Sequence, residues 1–169
     1  MSPDPSHSRP PGHVGGPKPD TPGVIAPPPL VYLAGLAIGF GLEAFLPSVS
    51  LPGEVVWPVG TVLVVASLTL ARAFLVAFRR ARTPADPRKP TTTIVTTGPY
   101  RLSRNPAYLA MALIYAGIAV LTGALWAFAT LVPTLLVVDR AVIRREERYL
   151  FAKFGDEYGR FKARTRRWI

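Results

Sequence analysis

Residues 107–138 run for thirty-two positions without a charged side chain. As one helix that stretch would rise about 48 Å at ~1.5 Å per residue, well beyond a ~30 Å hydrocarbon core. A hairpin of two spans is therefore expected, 107–121 and 125–142, turning around Leu121-Thr122-Gly123-Ala124. Pro133 in the second arm predicts a kink. That arm is expected to run on past the apolar run toward Phe154.

Two further apolar runs precede the hairpin. Residues 30–46 come near the ~17-residue lower limit for a span. Gly35, Gly39 and Gly41 are expected to leave a flat face there for a neighbouring helix. Glu43, a turn from its end, reads as interfacial. Residues 55–78 form the second run, interrupted only by Arg72, which is expected to snorkel toward the Arg79, Arg80, Arg82 cluster. Residues 1–29 hold ten of the nineteen prolines and almost nothing apolar, so they read as a flexible tail with no cleaved leader. The fold class that follows is all-α: an integral membrane bundle of four spans within a 30–169 domain, followed by a segment at 143–169.

The charges give an orientation. Segment 79–104 carries seven basic residues against Asp86 alone, and 139–169 carries ten against five acidic ones. The connections on the other side contain no Lys or Arg, so both termini are expected in the cytoplasm. The bacterial plasma membrane is the simplest location. A net charge of +10 could also suit nucleic acid, but the basic residues flank apolar runs and no zinc, homeodomain or RNA-stacking pattern accompanies them. Cysteine is absent, and His7 and His13 sit in the tail. The folded part thus lacks thiol nucleophiles, Cys or His metal ligands and Ser-His-Asp chemistry.

Leu150, Phe154, Tyr158 and Phe161 recur with helical spacing, predicting one amphipathic helix that lies on the membrane face and uses this stripe for packing. The basic run 164–168 reads as a headgroup anchor.

Between the second span and the hairpin lies GPYRLSRNPAYLA, residues 98–110. Gly98-Pro99 signals a turn, and Asn105-Pro106 reads as a cap followed by a first helical residue. The helix then starts at the membrane surface, where its N-terminus, Arg101 and Arg104 would attract a carboxylate or phosphate. Glu146 and Glu147 could accept from ribose hydroxyls or an ammonium group. Equally, these arginines and glutamates could pair with one another or with headgroups.

The pattern Gly98-Pro99-Tyr100-Arg101, Arg104-Asn105-Pro106 with Tyr108, then Glu146-Glu147, Phe154-Gly155 and Tyr158 resembles the isoprenylcysteine carboxyl methyltransferase and phospholipid methyltransferase group of membrane proteins. The resemblance covers roughly residue 93 onward. It implies a helical bundle binding S-adenosyl-L-methionine at its cytoplasmic end through Arg104, Asn105, Tyr108, Glu146 and Glu147, with Arg104 and Glu147 in the catalytic roles. Tyr100 and Arg101 would grip the cofactor or set the helix start. Adjacent helical positions diverge by ~100°, so one glutamate is expected to face the ligand.

Two departures from the pattern stand out: Asn105 replaces a usual histidine and Ala110 a frequent glycine. Asparagine keeps a donor and an acceptor but cannot take up a proton near neutral pH. A carboxylate acceptor, ionised at pH 7, needs no base, whereas a thiol needs some help and an amine more. A lipophilic or small acceptor bearing a carboxylate or thiol is therefore favoured over a phospholipid amine, with membrane lipid as the other partner and no metal. The alternatives are an NADPH-dependent membrane reductase of sterol-reductase type and a non-catalytic membrane interaction protein.

Overall fold

A computed structural model describes residues 21, 23, 26–49, 52–84 and 90–169. Most of the expected tail and positions 85–89 of the basic connection lie outside the described residues.

Each apolar run forms a helix. Helix α1, Pro28–Phe45, opens on prolines, whose missing N–H groups would have had no intrahelical partner there. Helix α2, Gly53–Ala81, extends through Arg79 and Arg80, basic residues that suit a helix C-terminus. Helix α3, Pro106–Leu121, ends where the Thr122 hydroxyl donates back to the Ile118 carbonyl at 2.8 Å. Gly123 then takes a left-handed φ of 66°, which lets the chain reverse. Helix α4, Leu125–Val137, passes through a π-helical stretch, Val138–Ile143, into α5, Arg144–Phe154. Pro133 lies inside α4, and the change of helical geometry falls after it, at 138–143. Helix α6, Asp156–Arg164, follows. No strand occurs among the described residues.

Helix α2 packs along α3, and α1 along α4. Small residues set both contacts, as they do where helices pack in lipid. A Cβ on Gly117 would fall 2.8 Å from the Val64 side chain and 3.3 Å from the Gly60 carbonyl. Cβ atoms on Gly35 and Gly39 would run into Thr134 and the Ala127 backbone. Gly41 departs from the expectation: nothing lies within 4 Å of its Cβ position, because it faces away from α4.

Tyr32, Tyr115, Val138, Val142 and Ile143 form the buried centre. Polar groups there are paired, as a bilayer requires. Ser67 donates to the Ala110 carbonyl at 2.7 Å and Tyr32 to the Tyr108 carbonyl at 2.9 Å, while Tyr115 and Thr130 share a 2.8 Å bond. The outer faces are apolar and exposed, including Leu33, Ile38, Val62, Leu68 and Val132. That is the surface of a protein solvated by lipid rather than water. The helices α1, α2 and Leu125–Phe154 are long and apolar enough to cross a membrane. The sixteen-residue α3 is shorter, roughly 24 Å at 1.5 Å per residue. Together they make an integral membrane helical bundle. Arg72 is exposed on its outside rather than turned into the bundle.

The single amphipathic helix expected near the end is instead two. Gly155, with φ 51° and ψ −124°, breaks it between α5 and α6, a conformation that a side chain would strain. The break turns Tyr158 and Phe161 inward, where both are buried, while Leu150 and Phe154 are only half-buried.

Candidate functional site

At the basic end of the bundle the motif is held as a compact turn. Gly98 has a φ of 61° and opens a one-turn 3-10 helix, Gly98–Arg101, that buries Pro99. The Ser103 N–H closes back on the Pro99 carbonyl at 3.2 Å, and the Ser103 hydroxyl accepts from the Asn105 N–H at 3.1 Å. Asn105 occupies the position before α3, but its side chain makes no cap. Its amide Nδ2 instead donates to the Arg167 carbonyl at 2.9 Å. The expected cap is therefore replaced by a tie to the chain's last residues, with proline at the next position removing one donor that a cap would serve.

A half-open cavity forms where α2, the 91–95 connection, the motif, α5 and α6 converge. Its interior leaves about 130 Å³ for the centres of water-sized molecules. Phe74 and Phe78 on α2 form one wall with their rings 4.8 Å apart, and Tyr100 joins them at 5.9 Å from Phe78. Phe161 of α6 packs on Tyr100 from the other side, at 6.4 Å. The polar wall is Arg104, Asn105, Tyr108, Glu146 and Glu147.

The two glutamates differ sharply. Glu146 accepts one hydrogen bond, 2.6 Å from the Tyr108 hydroxyl, and its other oxygen has no partner among the described residues. Glu147 is buried and fully engaged. Arg167 grips it with two bonds, 3.1 Å to Oε1 and 2.7 Å to Oε2. Arg104 Nη1 lies 3.2 Å from its Oε1, close enough for ion pairing, yet without an N–H directed at that oxygen. Arg104 Nε and Nη1 are consequently buried donors with no acceptor among the described residues. Such groups are costly to leave unmatched unless something else binds them.

Burial and the nearby Glu146 raise the Tyr100 phenol above its ordinary range, and burial foremost pushes Tyr158 up to about 12. Both remain neutral O–H groups at physiological pH. The hydrogen bonds it donates to Glu147 chiefly hold Arg167 above its ordinary value despite partial burial.

Of the seven residues singled out in the sequence, Tyr100, Arg104, Asn105, Tyr108, Glu146 and Glu147 line one cavity. Arg101 is exposed and lies outside it. Sequence reasoning missed Arg167 and Asp139, which are linked at 3.2 Å, and the aromatic wall from α2. The run 164–168 reads as a headgroup anchor, but Arg167 turns inward because the buried Glu147 and the half-buried Asp139 offer it better-matched partners than solvent does. No spacing rule connects Arg167 to Glu147. The α2 phenylalanines had only the signal of closing an otherwise lipid-facing span.

The family model for phospholipid methyltransferases matches residues 55–157. An uncharacterised protein of Haemophilus influenzae is 40% identical over 62 residues, covering 37% of this chain and 98% of that protein. The cobalt-zinc-cadmium resistance protein CzcN of Cupriavidus metallidurans is 37% identical over 73 residues, 43% of this chain and 33% of CzcN. This chain thus aligns with about a third of CzcN's length. No solved structure matches.

Proposed function

We propose that this chain, which belongs to the phospholipid methyltransferase family, uses the cavity to bind S-adenosylmethionine and transfer its methyl group to a lipophilic or small acceptor. Methyltransferase activity and membrane residence come with the family and the apolar helices. The single observation that carries the cofactor assignment is Arg104, whose two buried donors at the wall of the cavity lack an acceptor among the described residues. A carboxylate is the group that would satisfy them.

The remaining residues fit the rest of such a ligand. The half-engaged Glu146 can accept from ribose hydroxyls or an ammonium group. Phe74, Phe78, Tyr100 and Phe161 offer flat apolar surface to a purine. When bound, the cofactor supplies a methyl group activated by a sulfonium. The protein's part is to orient the acceptor and keep water out. Glu147, held by two arginines, fixes Arg104 rather than meeting the acceptor. Asn105 cannot move a proton, and its Nδ2 donates to the Arg167 carbonyl. This favours a carboxylate or thiol acceptor over a phospholipid amine, with Glu146 as the carboxylate in reach when a proton must leave. The excess of basic residues around the site supports a cytoplasmic location for it and for both termini.

The test is calorimetric binding of S-adenosylhomocysteine, and separately of NADPH, to detergent-purified protein and to Arg104→Ala. Binding of S-adenosylhomocysteine that is lost in Arg104→Ala supports the proposal. NADPH binding alone would replace it with a reductase, and a folded protein that binds neither would leave a non-catalytic interaction protein.

A further inference from the structure

We infer that the segment following α6 is a working part of the cofactor site, and that Arg167 is a positioning residue that keeps the Arg104 donors free for ligand. This rests on the methyltransferase reading above. It concerns residues beyond the 55–157 stretch that matches the family.

Four charged side chains form an alternating chain: Asp139, Arg167, Glu147, Arg104. Arg167 Nη1 donates to Asp139 at 3.2 Å, and its Nε and Nη2 close the bidentate grip on Glu147. At the outer end of this chain Asp139 is also met by Arg144 Nε at 3.2 Å, so two carboxylates are held among three arginines. The chain leads from the π-helical stretch at the end of the apolar span to the cavity wall. Only its final members, Glu147 and Arg104, line the cavity, so Arg167 acts through them.

The consequence lies in how the Glu147 oxygens are used. Both accept from Arg167, so neither demands an N–H from Arg104, whose Nε and Nη1 remain uncommitted. Without Arg167, a buried carboxylate would be left with one cation nearby. It would turn the N–H groups of Arg104, whose Nη1 already lies 3.2 Å away, into hydrogen bonds with its own oxygens, because a buried charge without a hydrogen-bonded partner is strongly unfavourable. The donors would then be turned from the cavity to Glu147.

The backbone of the same segment fixes the motif itself. The Arg166 carbonyl accepts from the Arg104 N–H at 2.9 Å, and the Arg167 carbonyl accepts from Asn105 Nδ2 at 2.9 Å and the Ser103 hydroxyl at 3.3 Å. Three consecutive motif residues thus read the position of two residues more than sixty places later. Ser103 is almost wholly buried by this contact.

The experiment compares S-adenosylhomocysteine affinity in the full chain, Arg167→Ala and Asp139→Asn, with thermal unfolding measured on each. Arg167→Ala is expected to bind at least ~30-fold more weakly, as when truncation leaves the other, buried member of a charge pair without its hydrogen-bonded partner. Millimolar guanidinium ion is expected to restore much of that loss by refilling the site on Glu147. Asp139→Asn touches neither the cavity nor Glu147 and should weaken binding by a smaller factor, about 3-fold. Unchanged affinity in Arg167→Ala, or a loss that guanidinium does not recover, would overturn the inference and leave Arg167 with a structural role. If Arg167→Ala does not fold, Asp139→Asn decides by the same comparison. A wild-type chain that fails to bind S-adenosylhomocysteine removes the methyltransferase reading itself, an outcome distinct from either variant result.

Discussion

The two ends of the bundle solve the same problem differently. At the end without basic residues, Glu43 accepts the Trp126 N–H at 2.8 Å, supplying a partner to the start of α4. The Trp126 indole donates to the Pro47 carbonyl at 3.0 Å, and the α3–α4 turn closes on its own backbone. Among the described residues, no buried side-chain donor or acceptor there lacks a partner. At the basic end, segments from across the chain meet, and the matching is left incomplete at Arg104 and Glu146. One end is closed as structure. The other holds polar groups in reserve, which is what a binding site must do.

Arg104→Ala should break this contrast most severely. It removes the unmatched donors while Glu147 keeps Arg167 as a partner, so the fold should survive. We expect S-adenosylhomocysteine affinity to fall at least ~100-fold, about 2.8 kcal/mol at 1.4 kcal/mol per tenfold change. A calorimetric titration in which the variant binds as wild type would dismiss Arg104 as the carboxylate ligand.

A change in the middle of the bundle should do the reverse. In Gly39→Leu the new side chain meets the Ala127 backbone, which cannot yield as a flexible side chain would. A loss of roughly 2–3 kcal/mol is expected from overpacking. Gly41→Leu, two residues away with open space around it, should stay within about 0.5 kcal/mol of wild type. Thermal unfolding in detergent would separate the two. Equal destabilisation would mean that α1 does not pack on α4 through this face.

These contrasts follow what could be read in the chain. The charge-free run 107–138 carries its own length constraint, so the hairpin and its turn at Thr122 and Gly123 were legible. So was the meeting of the 98–110 motif with the glutamate pair, because both flank the same hairpin. The Gly155 break was not, since the apolar stripe from Leu150 to Phe161 has the same spacing in one helix as in two short ones. Gly41 was misread because small residues show that close packing is allowed but not which side the neighbour occupies. Arg167 was hidden most deeply. A basic residue near a membrane has a ready explanation in headgroups, and only tertiary structure reveals that a buried carboxylate competes for it.

A finer perturbation within the site is Tyr108→Phe. The ring and its packing remain, and only the 2.6 Å hydrogen bond to Glu146 is lost. Bonds to charged groups contribute roughly 1.5 kcal/mol, so a roughly tenfold weaker S-adenosylhomocysteine affinity is expected, with unfolding little changed. An affinity unaltered by the substitution would show that Glu146 needs no help in facing the ligand.

The smallest effect should come from the far end. Glu43→Gln keeps a side-chain oxygen to accept the Trp126 N–H and removes only the charge that favours a helix N-terminus. That charge is worth about 0.5 kcal/mol at a partly exposed position. The thermal midpoint should shift slightly and S-adenosylhomocysteine affinity should not move, because among the described residues no polar chain connects Glu43 to the cavity as Asp139 and Arg167 connect the π-helical stretch to Arg104. If Glu43→Gln weakened binding as much as Tyr108→Phe, the two ends would be coupled through the α1–α4 contact. The far end would then be a functional element and not merely a closed terminus.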